Sequence, residues 1–245
     1  MDDKKEVINL IINSCQKSSW ISDAMKLSVG PIISALLAIG VFYAQYLWKK
    51  WLDERKINRN FKNELQYEKK ALEAEIVKIE NNFQSLYRFA NSKLRGGDRG
   101  LNINGFKSHS FLSLKENYYE IYTIISDEKK EWVKIISQVY ESLNDLSDEF
   151  LKRLNIEWSK YESLKTIPYD LILKEMGEQR RYMELCAIAI NSINMLLSER
   201  AVEEVSYDPK VTNSIYEKEF EKININYNDL REKEGYIQIG ISGQQ

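Results

Sequence analysis

The chain has 245 residues, which is enough for one sizeable domain or a domain with an anchor, and too few for two full enzymatic domains. Hydrophobic residues make up 43% of the chain and charged residues 29%, which is typical of a folded protein and not of a disordered one. The net charge of -2 gives no overall field that would draw the protein onto nucleic acid, so a nucleic-acid partner is not expected.

Few residues interrupt the backbone. The sequence contains three prolines and ten glycines, so helices can run far between breaks. We therefore predict an all-α fold: a single transmembrane helix that continues into a long juxtamembrane helix and an antiparallel cytoplasmic helical bundle.

Residues 1–24 have apolar side chains at helical spacing with charged residues between them. This pattern predicts a short amphipathic helix that lies against the outer leaflet of a membrane. A frayed terminus is the alternative. The apolar positions are Val7, Ile8, Ile11, Ile12 and Cys15.

Residues 25–50 contain an uncharged run from Leu27 to Trp48, bracketed by Lys26 and Lys49. Its length matches the roughly 20 residues that a helix needs to cross the hydrocarbon of a bilayer. Tyrosines and tryptophans cluster at its C-terminal end, as they do at a headgroup boundary. The run therefore predicts a membrane anchor. A buried core helix rarely runs so far without a charge, and a cleaved signal peptide would need a small-residue site after the apolar run, which is missing.

Cations predict the orientation of this anchor. Within about 15 residues of each end, six cations follow the span and only Lys17 and Lys26 precede it, so the C-terminal side should be cytoplasmic and the N-terminus outside the inner membrane. The same basic stretch could contact anionic lipid headgroups, although a plain topology signal is the favoured explanation. The cations that follow are Lys49, Lys50, Arg55, Lys56, Arg59 and Lys62.

Small residues recur within the span. Gly30, Ser34 and Ala38 are four residues apart, and Gly40 and Ala44 repeat this spacing on another face. Two helices with such faces can approach closely, so we expect a homo-oligomer assembled in the membrane. The span contains no charged residue, which argues against a proton or ion relay through it.

Residues 52–94 are predicted to form one long helix continuing from the anchor. Its apolar residues follow heptad-like steps of three and four. They are Leu65, Leu72, Ile76, Ile79, Phe83, Leu86 and Ala90. Charged residues are predicted on the outer, solvated face of this helix. They include Glu64, Glu68, Lys69, Lys70, Glu73 and Glu75.

A glycine- and asparagine-rich loop runs from Arg95 to about Ser110, and three more helical patterns follow it. The first covers Phe111 to Ser126, the second extends to about Phe150, and the third begins after a break near Pro168. Within residues 51–200, these patterns predict an antiparallel bundle. In the alternative, the first helix lies outside the bundle and forms a parallel coiled coil with another copy.

Residues 201–245 are predicted to form a weakly structured tail with one short helix near 211–223. At its end, Ile237, Ile239 and Ile241 alternate with small or polar residues, as in a strand. A disordered tail, or a strand added to the edge of a partner's sheet, fits this pattern.

Residues suited to catalysis or metal binding are sparse. The lone histidine, His109, is expected to be an exposed loop residue, because no nucleophile motif accompanies it. Cys15 and Cys186 are far apart, so neither a disulfide nor a zinc site is predicted. No cofactor is expected.

The loop cations Lys93, Arg95 and Arg99 form a weak candidate anion or ligand site, for which a plain helix connection is the alternative.

The expected function is that of a non-enzymatic membrane-tethered scaffold, which self-associates and recruits a cytoplasmic protein partner. The alternative is a membrane-perturbing effector of the stress or phage-defence type, in which the helical domain senses a signal and rearranges the anchor.

Overall fold

The computed structural model describes residues 3–97, 99–161, 166–198 and 209–242, with side chains described from residue 31 onward, Pro209 excepted. These residues form six α-helices and a short 3-10 turn, and no strand occurs among them. The prediction of an all-α fold is confirmed. The chain divides into two compact units, Met1–Arg55 and Lys56–Gln245.

The first helix, α1, spans Asp3–Leu94. Residues 3–24, predicted as a separate short helix, are the first turns of α1, and the apolar face predicted for them lies outside the described side chains. Pro31 lies inside α1. Proline has no N–H to bond the carbonyl four residues earlier, so α1 lacks one backbone hydrogen bond there without ending.

Near the N-terminus, the described residues include one helix that is long and apolar enough to span a membrane. Its most apolar window has a mean hydropathy of 1.5, and none of that window is buried. Leu37 and Phe42 expose 65% and 72% of their surface. A helix at the centre of a soluble domain buries at least one face, and residues 31–50 bury none.

The second unit contains the C-terminal part of α1 and the remaining helices. Helix α4 packs against α3, α5 and α6, and α2 packs against α3. The helices are α2 (Leu112–Ile124), α3 (Asp127–Ile156), α4 (Tyr169–Leu197), α5 (Pro209–Glu221) and α6 (Tyr227–Ser242), with a 3-10 turn at Trp158–Lys160 after α3.

The apolar stripe of α1 is buried inside the second unit. Every predicted member from Leu65 to Ala90 is at most 1% exposed. The side chain of Gln84 accepts a hydrogen bond from Lys233 of α6 at 2.9 Å, and Tyr87 packs edge-on against Tyr236. Because the chain itself covers this stripe, the alternative of an intermolecular coiled coil along it has no support in the structure.

Residues 209–242 form two helices where a weakly structured tail was predicted. Helix α5 lies at the place of the short helix expected near 211–223. Its Phe220 is fully buried in the core of the second unit, and Leu230 of α6 is 1% exposed. Residues 201–208 and 243–245 of the predicted tail lie outside the described residues.

The alternating isoleucines near the C-terminus lie in α6, so the strand-like interpretation of them is wrong. Ile237 is fully buried, whereas Ile239 is 76% exposed, although a strand would place both on one face. Ile237 continues the buried helical face of Tyr227 and Leu230, which are ten and seven residues earlier. The alternation arose because the exposed face of the same helix also carries isoleucine.

Candidate functional site

The segment that joins α1 to α2 inserts three of its side chains into the core of the second unit. We call residues 99–111 the strap. They form neither helix nor strand, as the loop prediction required, but Phe106, His109 and Phe111 are only 8%, 4% and 5% exposed. The strap therefore contributes to the core, while its other residues are exposed or half-buried.

Phe106 is one of two buried phenylalanines in the strap, the other being Phe111. The Phe106 ring stacks on Phe150 of α3, with ring centroids 4.6 Å apart, and on Tyr182 of α4, with centroids 4.3 Å apart. Offset stacking between aromatic rings adds to the free energy of burying their surface. Phe106 thus joins α3 and α4 through a side chain that belongs to neither helix.

Two asparagines hold the main chain at the ends of this buried segment. The Asn82 side chain of α1 accepts a hydrogen bond from the Asn104 N–H at 2.9 Å and donates one to the Asn104 carbonyl at 2.8 Å. The Asn144 side chain of α3 makes the same pair of bonds with His109, both at 2.9 Å. A carboxamide carries both a donor and an acceptor, so each asparagine satisfies both backbone groups of one residue.

Between these two residues, further helix side chains bind the strap's backbone. Lys107 donates its N–H to Glu75 at 2.9 Å and accepts the Tyr182 hydroxyl proton at 2.8 Å on its carbonyl. The Gly105 carbonyl accepts from the Lys78 ammonium at 2.7 Å, and the Phe106 carbonyl from the Ser147 hydroxyl at 3.3 Å. A segment outside regular secondary structure can be buried only if its backbone groups are satisfied in this way.

The prediction that His109 is an exposed residue is wrong. Its side chain is 1% exposed, and its Nδ1 lies 3.7 Å from Oε2 of Glu68. The same oxygen accepts a hydrogen bond from the Tyr140 hydroxyl at 3.0 Å. Within the described part of the chain, Nε2 of His109 is buried without a hydrogen-bond partner.

The surroundings keep Tyr140 protonated. Burial raises the pKa of its hydroxyl, and the nearby Glu68 carboxylate raises it further. Burial likewise raises the pKa of Cys186, which lies on the buried face of α4. Both groups are therefore neutral near pH 7, and the Tyr140 hydroxyl serves as a hydrogen-bond donor.

The placement of Glu68 and Glu75 on the outer face of α1 was also wrong. They are 7% and 5% exposed, and Asn82 is 1% exposed. The three positions are seven residues apart, which returns them to the same side of the helix as the apolar stripe. This spacing is a sequence signal that could have located the site, because a polar residue repeated on a core face needs a buried partner.

A chain of buried polar side chains connects α3, α4 and α1. The guanidinium Nε of Arg153 lies 3.0 Å from a Glu175 oxygen, and both side chains are at most 6% exposed. Gln179 donates to Glu175 at 2.8 Å and accepts from Asn82 at 3.3 Å. The chain thus ends at the asparagine that holds the strap.

The predicted loop cations have different environments. Lys93 donates to the carbonyl of Ile167 and lies 4.9 Å from the ring centroid of Tyr169. Arg95 and Arg99 are exposed. With the Lys93 ammonium bound to a backbone carbonyl, the structure gives no direct support to the anion site, which stays a prediction.

The predicted membrane-packing face is accessible where it is described. Ser34, Ala38, Gly40 and Ala44 are all exposed on α1, and a methyl group built on Gly40 would meet no atom within 4 Å. Gly30 lies in α1, outside the described side chains.

The predicted juxtamembrane cations are exposed at all six positions. In the first unit, Lys50 lies 3.9 Å from Glu54, and the Arg55 guanidinium lies 5.2 Å from the ring centroid of Trp51. Exposed ion pairs of this kind contribute little to stability. The cations therefore stay available to solvent or to lipid headgroups.

Among the described residues, no group of three or more His, Cys, Asp or Glu side chains could hold a metal ion. No protein-family model, no curated protein and no solved structure matches the chain. The molecule's own features therefore define only a class, namely an all-helical protein with one candidate membrane-spanning helix and a helical unit that contains an internal strap.

Proposed function

We propose that this chain is a membrane-tethered, non-enzymatic interaction module. In this proposal, residues 25–50 anchor the protein in the inner membrane, and an antiparallel bundle formed by the second unit lies on the cytoplasmic side. The module self-associates and recruits a protein partner there.

The observation that carries the proposal is the uniform exposure of residues 31–50. Apolar side chains such as Leu36, Leu37, Ile39 and Phe42 expose 63%, 65%, 65% and 72% of their surface, and they point to every side of the helix. Apolar surface on all faces of a helix is stable in lipid or in a protein interface, and not in water. A bilayer is the environment that covers all of these faces at once.

The chemistry of the second unit supports a binding role. Two pairs of its buried polar side chains are bonded to each other, namely Glu68 with Tyr140 and Arg153 with Glu175. These bonds join helices or hold the strap, which are structural tasks. An enzyme would need such groups to be directed toward a substrate.

The orientation can be tested by cysteine labelling. Cys186 is fully buried, and Cys15 belongs to the apolar face predicted to contact lipid, so the test uses Cys15→Ser as its background. In this background, we expect Asn13→Cys, on the opposite side of the predicted helix, to react with a membrane-impermeant maleimide in intact cells. As a control, a cysteine introduced at the exposed Ser110 should react only after the membrane is permeabilised. The opposite labelling pattern contradicts the proposed topology.

Self-association can be tested by blocking the small-residue face. Ser34→Leu together with Ala38→Leu should raise the monomer fraction at least tenfold in lipid nanodiscs, measured by single-molecule photobleaching, because the bulky side chains keep two helices apart. Ala35→Leu is the matched control, since Ala35 lies about 100° away around the helix.

A strictly monomeric native protein would refute self-association. Dye leakage from liposomes that contain the native protein would favour the membrane-perturbing alternative.

A further inference from the structure

The strap lies in the second unit as a bound peptide lies in a receptor. Its backbone from Asn104 to His109 is held by side chains of three different helices. These side chains are Glu75, Lys78 and Asn82 of α1, Asn144 and Ser147 of α3, and Tyr182 of α4. We propose that α1, α3 and α4 form a peptide-binding groove of which the strap is the internal ligand. An extended segment of the partner protein, with one aromatic side chain, displaces the strap from this groove.

Recognition through the backbone makes the groove able to accept another sequence. Asn82 and Asn144 each bind the N–H and the carbonyl of one residue, and these groups are the same in any residue except proline. The side chain of Lys107 is exposed, so it contributes little to the fit. The exposed Ser108 hydroxyl donates a hydrogen bond to Asn144 at 3.1 Å. The side chain that the groove selects is the aromatic ring at Phe106, which stacks between two other rings.

The strap's own fit is incomplete at one position. The His109 ring is buried, its Nδ1 is too far from Glu68 for a good hydrogen bond at 3.7 Å, and its Nε2 has no partner among the described residues. A buried nitrogen without a partner loses its bonds to water and receives none in return. A different side chain at this position would avoid that cost, so an external segment can compete with the strap.

The connection to α1 allows the strap to leave while the helices stay intact. Residues 95–97 and 99–103 form neither helix nor strand, and Arg95 and Arg99 are exposed within them. Gly96 has a φ of +70°, a conformation that other residues rarely adopt.

At the other end, the N-terminus of α2 is held independently of the strap. Glu64 accepts hydrogen bonds from the backbone N–H groups of Leu112 and Ser113 at 2.6 and 2.8 Å. The displaced segment is thus limited to the residues between Leu94, where α1 ends, and Leu112, where α2 begins.

A binding experiment in trans tests the proposal. The probe is a fluorescent peptide with the sequence of residues 101–111, added to the full-length protein in detergent micelles. In Phe106→Ala, the protein's own strap competes less well, so this variant should bind the peptide at least tenfold more tightly than the native protein does.

The matched control is Ser110→Ala, which changes an exposed side chain of the strap and should bind the peptide as the native protein does. A peptide in which alanine replaces the phenylalanine at the position of Phe106 should bind at least tenfold more weakly than the unchanged peptide does. The proposal is overturned if Phe106→Ala retains the native helical circular dichroism and binds no peptide.

A second measurement uses the native protein and so does not depend on the folding of the variant. With the peptide at several mM, above the effective concentration of about 1 mM that a short attached segment has, hydrogen exchange at the Asn104, Lys107 and His109 amides should accelerate at least tenfold. The amides of α1 and α4 should keep their protection. Unchanged exchange at the three strap amides overturns the proposal.

The proposal rests on the proposed recruitment of a protein partner, but it is tested separately. Strap exchange is read from peptide binding and amide exchange, whereas anchoring and orientation are read from cysteine labelling. A correctly oriented protein whose strap does not exchange would keep the proposed function and lose the groove.

Discussion

Asn82 lies on the buried side of α1, seven residues after the buried Glu75. It is 1% exposed, and it binds both the strap residue Asn104 and the α4 residue Gln179. A shorter apolar side chain at this position would leave the Gln179 carbonyl and the Asn104 backbone groups without their partner. Leaving a buried polar group unpaired costs about 1 to 3 kcal/mol.

We therefore expect Asn82→Ala to lower the free energy of unfolding by about 1 to 3 kcal/mol, measured by urea denaturation. The next residue provides a matched control. Asn81 is exposed, and its side chain bonds only to the Val77 carbonyl of its own helix. Asn81→Ala should change the stability by less than about 0.5 kcal/mol. Equal effects of the two substitutions would contradict the assigned role of Asn82.

Tyr140 links stability to pH at the alkaline end. Burial and the Glu68 carboxylate raise its pKa in the folded protein, whereas a tyrosine in an unfolded chain has a pKa of about 10. The neutral hydroxyl therefore contributes stability fully below about pH 10, and this contribution is lost as the pH rises further. The buried Cys186 acts in the same direction from about pH 8.5.

We expect the free energy of unfolding to fall between pH 8 and pH 10.5. Because Tyr140→Phe removes one titrating group, its decrease over this interval should be smaller by about 1 kcal/mol, whatever its stability at pH 8. Tyr119 is 81% exposed, so Tyr119→Phe should show the full native decrease. Urea titrations at the two pH values measure the difference. An unchanged decrease in Tyr140→Phe would show that its hydroxyl is not buried.

At the scale of elements, α1 and α4 were predictable because their core residues recur at helical spacing. The stripe of α1 from Leu65 to Ala90 and the buried face of α4 were both read from that period. The strap has no such period, because its residues are held by side chains that are distant in sequence. The pairs Asn82 with Asn104 and Asn144 with His109 are separated by 22 and 35 residues. The buried site at the strap was therefore missed.

Helix α6 was missed for a different reason. Three isoleucines at alternate positions predict a strand when they are considered alone, and the helical face through Tyr227, Leu230 and Ile237 becomes clear only once the core is known. The exposed Ile239 added to the wrong pattern without contributing to the core. Local periodicity is ambiguous when both faces of a short helix carry apolar residues.

Substitutions in α6 distinguish the helix from a strand. Ile237→Ala should lower the free energy of unfolding by about 2 to 4 kcal/mol, because it opens a cavity in the core. Ile239→Ala removes the same atoms from an exposed site and should change the free energy of unfolding by less than about 0.5 kcal/mol. The comparison is made by urea denaturation, and similar effects at both positions would indicate a shared face and hence a strand.

At the scale of the whole molecule, the proposed membrane anchoring depends on the exposed apolar part of α1. We expect Leu37→Arg, at the centre of the span, to shift the protein from the membrane to the soluble or aggregated fraction on ultracentrifugation. A charge at the middle of a bilayer costs about 2.5 to 3.5 kcal/mol. Leu151→Arg introduces the same charge at a half-exposed site on α3 and should leave the distribution unchanged. A soluble native protein would remove the basis of the anchor.

The burial of the α1 stripe also has a consequence for biosynthesis. Gln84 of α1 bonds to Lys233, which follows it by 149 residues, so α1 leaves the ribosome long before the helix that covers this part of it. At about 5 to 20 residues per second, this delay is roughly 7 to 30 s. During that time, the apolar span proposed as an anchor has left the ribosome while the α1 stripe is still uncovered. Under the proposed anchoring, membrane delivery should therefore precede folding, and chaperones should contact the nascent α1 until synthesis nears α6.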